Sequence, residues 1–395
     1  MRALEILHEE LRQRTGFLPQ RLWGALWRAV QALLIGQRLW LTALGRSLPT
    51  AAQRKHAIKA VDRLLGNERL QAERFAVSAA LVSFCAAKVE HPVVLVDTME
   101  IRYRVVAFTA SLAHQGRALP FWSTTVKAPR VNARQCRRFL RELRCILPRH
   151  CRPIVITDAG FEGLWLREVE ACGWDYIGRV RGQTKIFLRG AWQGCHDLHR
   201  LATKRPKNLG LGVFPKEACP QARRLVLSKR PTSAHRRIKT RGGRPEWDTN
   251  YYIYRQNAHE PLLLTTSLRC HAGQVVALYE RRMGIEQSFR DLKCHRWGWG
   301  LRHCLTRSRA RLEILLLVGN IALVVQQLVG MWGEAQNLQR HYQANTVRSR
   351  RVLSVFLLGA LLLANDGDTP MTGRTLRRSL TRLRQEIADL APLGT

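Results

Sequence analysis

Asp97 closes a run of apolar residues, Val93-Val-Leu-Val96, and Asp158 closes a second, Ile154-Val-Ile-Thr157, with Gly160 close behind. A carboxylate delivered by the last position of a core strand has no packing task. Two such like charges at the ends of adjacent strands are costly unless a cation lies between them. Hard oxygen ligands in that arrangement suit Mg²⁺ or Mn²⁺. A third group of side chains lies in Tyr279-Glu-Arg-Arg282-Met-Gly-Ile-Glu286-Gln-Ser-Phe-Arg290-Asp-Leu-Lys293. On one continuous helix, at about 100° per residue, Arg282, Glu286 and Lys293 fall within roughly 60° of Tyr279, and Arg290 lies near the same line. Leu278, Ile285, Phe289 and Leu292 form the neighbouring apolar face, so such a helix packs on a sheet while Glu286 leans toward the strand ends. Alone, a glutamate flanked by arginines one turn away also reads as a solvated ion-pair ladder. The two aspartates favour the site reading. Glu100 is the competing carboxylate, but its odd offset from Asp97 points it to the opposite face of a strand.

The elements that must position these groups follow from periodicity. Residues 1 to about 88 read as helical. Leu41–Leu48 is a short helix broken at Pro49, and Thr50 is placed to cap a second helix running to Leu65 before Gly66-Asn67, a helix-turn-helix pattern. In that second helix Ile58, Val61 and Leu65 form an apolar stripe while Lys55, Lys59 and Arg63 recur every four residues on another face. That face suits a DNA groove or backbone, or is simply a solvated helix surface. From Pro92 strands are expected over Val93–Ile101, Val105–His114 and Ala118–Lys127, the last two joined at Gln115-Gly116. A helix from about Asn132 to Leu147, a strand to Thr157, a helix over Gly163–Cys172 and a strand over Tyr176–Val180 follow. Three antiparallel strands and then alternating helices and strands is the order of a ribonuclease H-like α/β sheet. From Gly182 to about Glu260 that order is interrupted by short β-like runs (Lys185–Leu188, Arg224–Leu227, Tyr251–Arg255). Ala218 to Pro245 holds nine Arg or Lys and no carboxylate. An inserted β subdomain touching DNA competes with a disordered basic linker. The strand Leu262–Thr266 then leads into a long helix over about Ala272–His295, a basic loop, a buried helix from Leu312 and further C-terminal helices.

Composition restricts the partners. Lys and Arg number 65 against 29 Asp and Glu, a net charge of +36 spread along 395 residues. A polyanion is the expected partner, because a surplus that large makes the compact state repel itself unless phosphates offset it. The ten cysteines contain no C-x-x-C pair and lack the spacing of structural zinc sites, and a reducing cytoplasm is expected. No signal-peptide pattern opens the chain. The most apolar run, Ile314 to Val325, holds Asn320 and stops at Gln326-Gln327, short of the roughly 20 residues that cross a bilayer, and is expected to be a buried core helix. No membrane partner is expected.

The spacing Tyr-x2-Arg-x3-Glu-x6-Lys, filled by Tyr279, Arg282, Glu286 and Lys293, resembles the YREK signature of the insertion-sequence-four group of cut-and-paste DDE transposases. Further stretches are similar to that group: Val94-Leu-Val-Asp97, Asp158-Ala-Gly-Phe161, Arg179-Val-Arg-Gly182, Phe289-Arg-Asp-Leu-Lys293 and Gly300-Leu-Arg-His303. The resemblance implies an α/β, ribonuclease H-like catalytic core (89–182 and 259–311) with an inserted β subdomain (183–258), an N-terminal all-α DNA-binding domain (1–88) and a C-terminal helical region (312–395). It implies Asp97, Asp158 and Glu286 as catalytic residues holding two Mg²⁺ or Mn²⁺ ions, with Tyr279, Arg282, Arg290 and Lys293 on DNA phosphates. The implied partners are double-stranded DNA, as terminal inverted repeats and target, and a second copy of the chain in a synaptic homodimer associated with the nucleoid. A ribonuclease H-like nuclease without strand transfer, and a catalytically inactive DNA-binding relative, are the alternative readings. Members tend to carry a Trp before the signature helix that stacks on a flipped base during hairpin formation. This chain has Leu262 there, which leaves Trp192 or Trp247 to substitute, or a weakened hairpin step.

Overall fold

The computed structural model describes the chain except residues 1, 103–104, 128–131, 162, 215–220, 230–259, 297, 345, 348–349, 365–370 and 392–395. The expected strand at Tyr251–Arg255, Trp247 and the basic stretch from Arg230 to Arg244 lie outside the described residues. In chain order the helices are α1 (Arg2–Arg12), α2 (Gln20–Gly36), α3 (Leu41–Arg46), α4 (Arg54–Leu65), α5 (Glu68–Ala86), α6 (Ala133–Ile146), α7 (Gly163–Ala171), α8 (Cys195–His199), α9 (Ala272–Glu280), α10 (Met283–Lys293), α11 (Arg309–Ala335), α12 (Gln339–Tyr342), α13 (Val355–Ala364) and α14 (Gly373–Ala388). The strands are β1 (Val93–Arg102), β2 (Val105–His114), β3 (Arg117–Val126), β4 (Ile154–Thr157), β5 (Asp175–Val180), β6 (Lys185–Leu188), β7 (Ala191–Gly194), β8 (Lys207–Val213), β9 (Ala222–Ser228) and β10 (Leu262–Thr266). They form two compact units, Met1–Pro153 with Met283–Ala391, and Ile154–Arg282. The mixed α/β architecture fits a ribonuclease H-like core.

In the first unit β1, β2 and β3 are an antiparallel meander in the order β3-β2-β1. The β2–β3 turn needs Gly116, which takes φ +77°, a conformation glycine adopts without steric cost. β1 does not end at Asp97. The following Thr-Met-Glu-Ile-Arg alternates polar and apolar residues, so pairing with β2 continues to Arg102, with Met99 and Ile101 buried and Glu100 exposed. Asp97 is therefore a mid-strand residue opposite Thr109. α6 starts on a reciprocal cap: Asn132 Oδ1 accepts from Gln135 N at 3.0 Å, and Gln135 Oε1 accepts from Asn132 N at 2.9 Å. Thr50 does not cap α4. Gln53 precedes that helix without a side-chain bond, while Thr50 Oγ1 accepts from Ala52 N in a local turn that ends too early to reach the helix.

The core of this unit is built around α11, on which α2, α5, α13, α14 and β3 pack. By length and apolarity α11 would cross a bilayer, and its most apolar stretch is wholly buried in protein. The helix is the expected buried core helix and continues past the end of the apolar run at Gln326-Gln327 to Ala335. Both glutamines are buried; Gln326 Nε2 donates to Phe356 O at 2.9 Å and Gln326 Oε1 accepts from Gln37 Nε2 at 3.1 Å, which satisfies the amide inside the core. Glu313, at the start of α11, accepts from Thr125 N at 2.7 Å and pairs with Arg74 of α5 at 2.5 Å, tying α5, α11 and β3 together.

In the second unit the strand order is β4-β5-β10-β9-β8-β6-β7. β4 and β5 are parallel and the remaining pairings antiparallel. The strands before β10 and helix α8 share an apolar cluster with it, including Ile186, Leu188, Leu198 of α8, Leu225, Leu227 and Leu263. Glu260 accepts from both Arg179 (3.0 Å) and Arg181 (2.5 Å), which explains the arginine pair in Arg179-Val-Arg-Gly182.

Candidate active site

Within the first unit, α10 packs across β1 and β3. Three contacts fix it. Ser288 Oγ donates to Ala118 O at 2.6 Å, Arg117 Nη1 donates to Gln287 Oε1 at 3.3 Å, and Arg117 Nε stands 3.3 Å from Asp291 Oδ2. Gly284 lies so close to the β3 entrance that a Cβ there would stand 2.9 Å from both the carbonyl carbon and the oxygen of Arg117. Asp291 is buried, and its carboxyl is pushed up to about 7 by that burial, against the opposing pull of Arg117 and Arg290.

On the helix so anchored, Glu286, Arg290 and Lys293 are spaced by four and three residues and share one face. Glu286 is half-buried, Arg290 exposed and Lys293 half-buried. Asp97 is half-buried on β1, and one of its carboxylate oxygens accepts from Thr98 N at 2.7 Å. Lys293 lies in the field of both Asp97 and Glu100; burial and the nearby Arg302 nonetheless hold its ammonium below the usual lysine value. Glu100, whose parity on β1 differs from that of Asp97, thus also influences this cation.

Arg302 was not singled out by the sequence reading, although it lies in the stretch Gly300-Leu-Arg-His303. The structure supplies the reason it sits near Lys293. Trp299 is fully buried, its N–H donating to Asp291 O and its carbonyl accepting from Leu39 N, both at 2.8 Å. Gly300 then takes φ +63° and turns the chain into a single 3-10 turn, Leu301–His303, packed on β1 and α10.

The second unit holds the other expected residues. Asp158 is half-buried directly after β4, and its Oδ1 accepts from Gly160 N at 2.8 Å. Tyr279 is buried near the end of α9, with the Arg282 guanidinium 6.0 Å from its ring centre. The helix expected over Ala272–His295 is two helices. Arg281 N and Arg282 N bond to carbonyls three residues back, closing α9 in a tight turn, and α10 starts afresh at Met283. The shared face argued from a continuous helical phase therefore holds for Glu286, Arg290 and Lys293, and does not extend through the turn to Tyr279 and Arg282.

Leu262 is only 2% exposed and pairs with Ser228 of β9, so that buried position offers no platform to a base. Trp192 on the β6–β7 hairpin is 55% exposed, with Phe187 opposite it at 5.3 Å between ring centres. On α4, Lys55, Lys59 and Arg63 are all exposed, Lys59 pairing with Asp62 at 3.2 Å.

The expected metal ligands are carboxylates throughout, a donor set suited to hard divalent cations. Among the described residues no three His, Cys, Asp or Glu side chains are gathered closely enough to hold an ion. Asp97 and Glu286 lie on elements that pack together in the first unit, and Asp158 belongs to the second.

Residues 131–325 match the family model of the transposase DDE domain. The match supports a DDE transposase family. It covers just under half of the chain, including Asp158 and the whole stretch from Tyr279 to Lys293, and starts beyond Asp97. No curated protein matches the chain. Members of that family are enzymes that act on DNA, typically with divalent metal ions.

Proposed function

We propose that this chain is a cut-and-paste DNA transposase of an insertion sequence, which cleaves DNA at the element's ends and joins those ends to a target. The observation that carries the reading is the match to the transposase DDE domain over a segment that contains both Asp158 and Glu286. In this reading Asp97, Asp158 and Glu286 are the catalytic carboxylates and hold two Mg²⁺ or Mn²⁺ ions. Held by these carboxylates, such ions would supply activation of water or a 3′-hydroxyl and charge stabilisation at the leaving oxygen of the scissile phosphate. Asp97 keeps its orientation through the backbone bond from Thr98, and Glu286 through the anchoring of α10 on β3. Lys293 and Arg290 are placed on the Glu286 face to neutralise phosphate oxygens, Lys293 as a point charge and Arg290 as a fork. Tyr279 and Arg282 hold phosphates beside the cut. Lys55, Lys59 and Arg63 bind the duplex of the terminal inverted repeat, and the basic insertion 183–258 adds further phosphate contacts. Two copies act together in a synaptic complex at the nucleoid.

The test is a paired gel-shift and cleavage assay in Mg²⁺ on duplexes bearing the element's ends, followed by a strand-joining assay. Asp97→Ala, Asp158→Ala and Glu286→Ala are each expected to lower cleavage by at least about 10³-fold, the scale of losing a key electrostatic group, while end binding stays near wild type. Wild-type-like cutting by one variant would remove that residue from the site. Cleavage by the wild type without joining would make the chain a nuclease.

A further inference from the structure

At the junction of α2, α4 and α5 lies an open cleft of about 330 Å³. Arg21, Arg63 and Arg69 are exposed around it, one from each helix, and none of the three bonds to a carboxylate among the described residues. Asp62, the acid next to Arg63, is already held by Lys59 and Arg311. Leu22, Ala25, Ala60 and Leu64 give the cleft an apolar wall. Three guanidiniums on one open concavity repel one another and stay there only at a cost that an anion removes.

We propose that this cleft seats a sugar-phosphate unit of duplex DNA. The three arginines, from three different helices, take the phosphate oxygens through forked hydrogen bonds, and the apolar wall receives the deoxyribose. The volume exceeds what a bare phosphate fills and suits a phosphate together with its sugar. Arg63 belongs both to the cleft and to the exposed basic face of α4, so the seat continues that face toward the starts of α2 and α5. Such a contact fixes the register of the protein on the duplex and carries no sequence information. The inference deepens the proposed function, adding Arg21 and Arg69 to the DNA contacts, and is independent of the chemistry at Asp97, Asp158 and Glu286.

The test uses the full chain and a labelled duplex of arbitrary sequence, titrated by fluorescence anisotropy at several salt concentrations. Arg21→Ala with Arg69→Ala is expected to weaken binding about tenfold or more at moderate salt and to make the log–log salt slope shallower by about 1 for each arginine removed. Arg21→Lys with Arg69→Lys should restore the slope but only part of the affinity, because lysine keeps the charge and loses the fork. A thermal melt matching wild type shows that the cleft's helices still fold. An unchanged slope in the alanine variant overturns the proposal. So does tight capture of inorganic phosphate or a free mononucleotide by these arginines with duplex affinity unaltered, which would make the cleft a small-anion site. Absence of cleavage by the wild-type chain on the element's ends, with the slope effect intact, would count against the transposase reading and leave the seat in place.

Discussion

Asp291 faces inward from α10 toward Arg117, and the pair shows how one residue couples the helix that carries Glu286 to pH. Arg117 is within ion-pair distance, yet neither its Nε nor Asp291 Oδ2 completes a hydrogen bond, so the attraction does not recover what burial costs the charged carboxyl. The carboxyl titrates at about 7 in the fold, whereas in an unfolded chain an aspartate releases its proton near about 3.9. Between those values the folded state binds the extra proton, so this residue's contribution to stability declines as pH rises from about 4 to about 7. Asp291→Asn keeps the shape and abolishes the titration. Its urea midpoint relative to wild type is expected to rise from about pH 5 to about pH 8, by an amount on the order of 1 kcal/mol or more in stability. An equal difference at both pH values would show that Asp291 stays ionised throughout.

At the scale of elements, local pattern made most of the catalytic segment legible: the three-strand meander, α6 and β4 delivering Asp158 were all readable from periodicity. What escaped the sequence depends on partners distant in the chain. The apolar run that stops at Asp97 suggests the last position of a core strand, yet the strand expected over Val93–Ile101 runs through it, and pairing with β2 carries β1 to Arg102. The turn at Arg281–Arg282 lies inside a pattern that is periodic enough for one helix, and the approach of Gly284 to Arg117 is visible only once the β2–β3 hairpin is in place. That approach gives a prediction whose sign is opposite to propensity. Replacing a helical glycine ordinarily stabilises by up to about 1 kcal/mol. Here Gly284→Val drives a branched side chain into backbone that cannot yield, displacing the start of α10 two residues before Glu286. A loss of about 1–3 kcal/mol is expected from the overpacking. Cleavage should fall about tenfold or more beyond what stability explains, since small misplacements of a catalytic group cost rate steeply. Gly284→Val at wild-type stability and activity would mean that the contact relaxes without moving Glu286.

At the scale of the whole molecule, the net charge of +36 acts on folding and on binding with opposite signs. Buried ion pairs such as Arg74–Glu313 and Arg179–Glu260 consume only part of the basic surplus, and Lys55, Arg63, Arg21, Arg69 and Arg290 remain on the surface. In the free chain those like charges repel, and screening becomes effective once the Debye length shrinks to about 10 Å near 0.1 M salt. Added salt is therefore expected to raise the melting temperature of the free chain by a few degrees, as roughly 1 kcal/mol does for a chain larger than a single small domain. The same salt should weaken duplex binding by about 10³-fold or more between roughly 50 and 200 mM, because each phosphate contact releases counterions that salt returns. Duplex DNA at low salt should stabilise the chain more than any salt addition, since it supplies phosphates in fixed register against the basic surface and binds the folded state alone. Differential scanning fluorimetry across a salt series, with and without an arbitrary duplex, separates these effects. If melting temperature falls with salt while DNA affinity stays flat, the positive surplus neither strains this fold nor recognises phosphate, and the electrostatic account of both fails together.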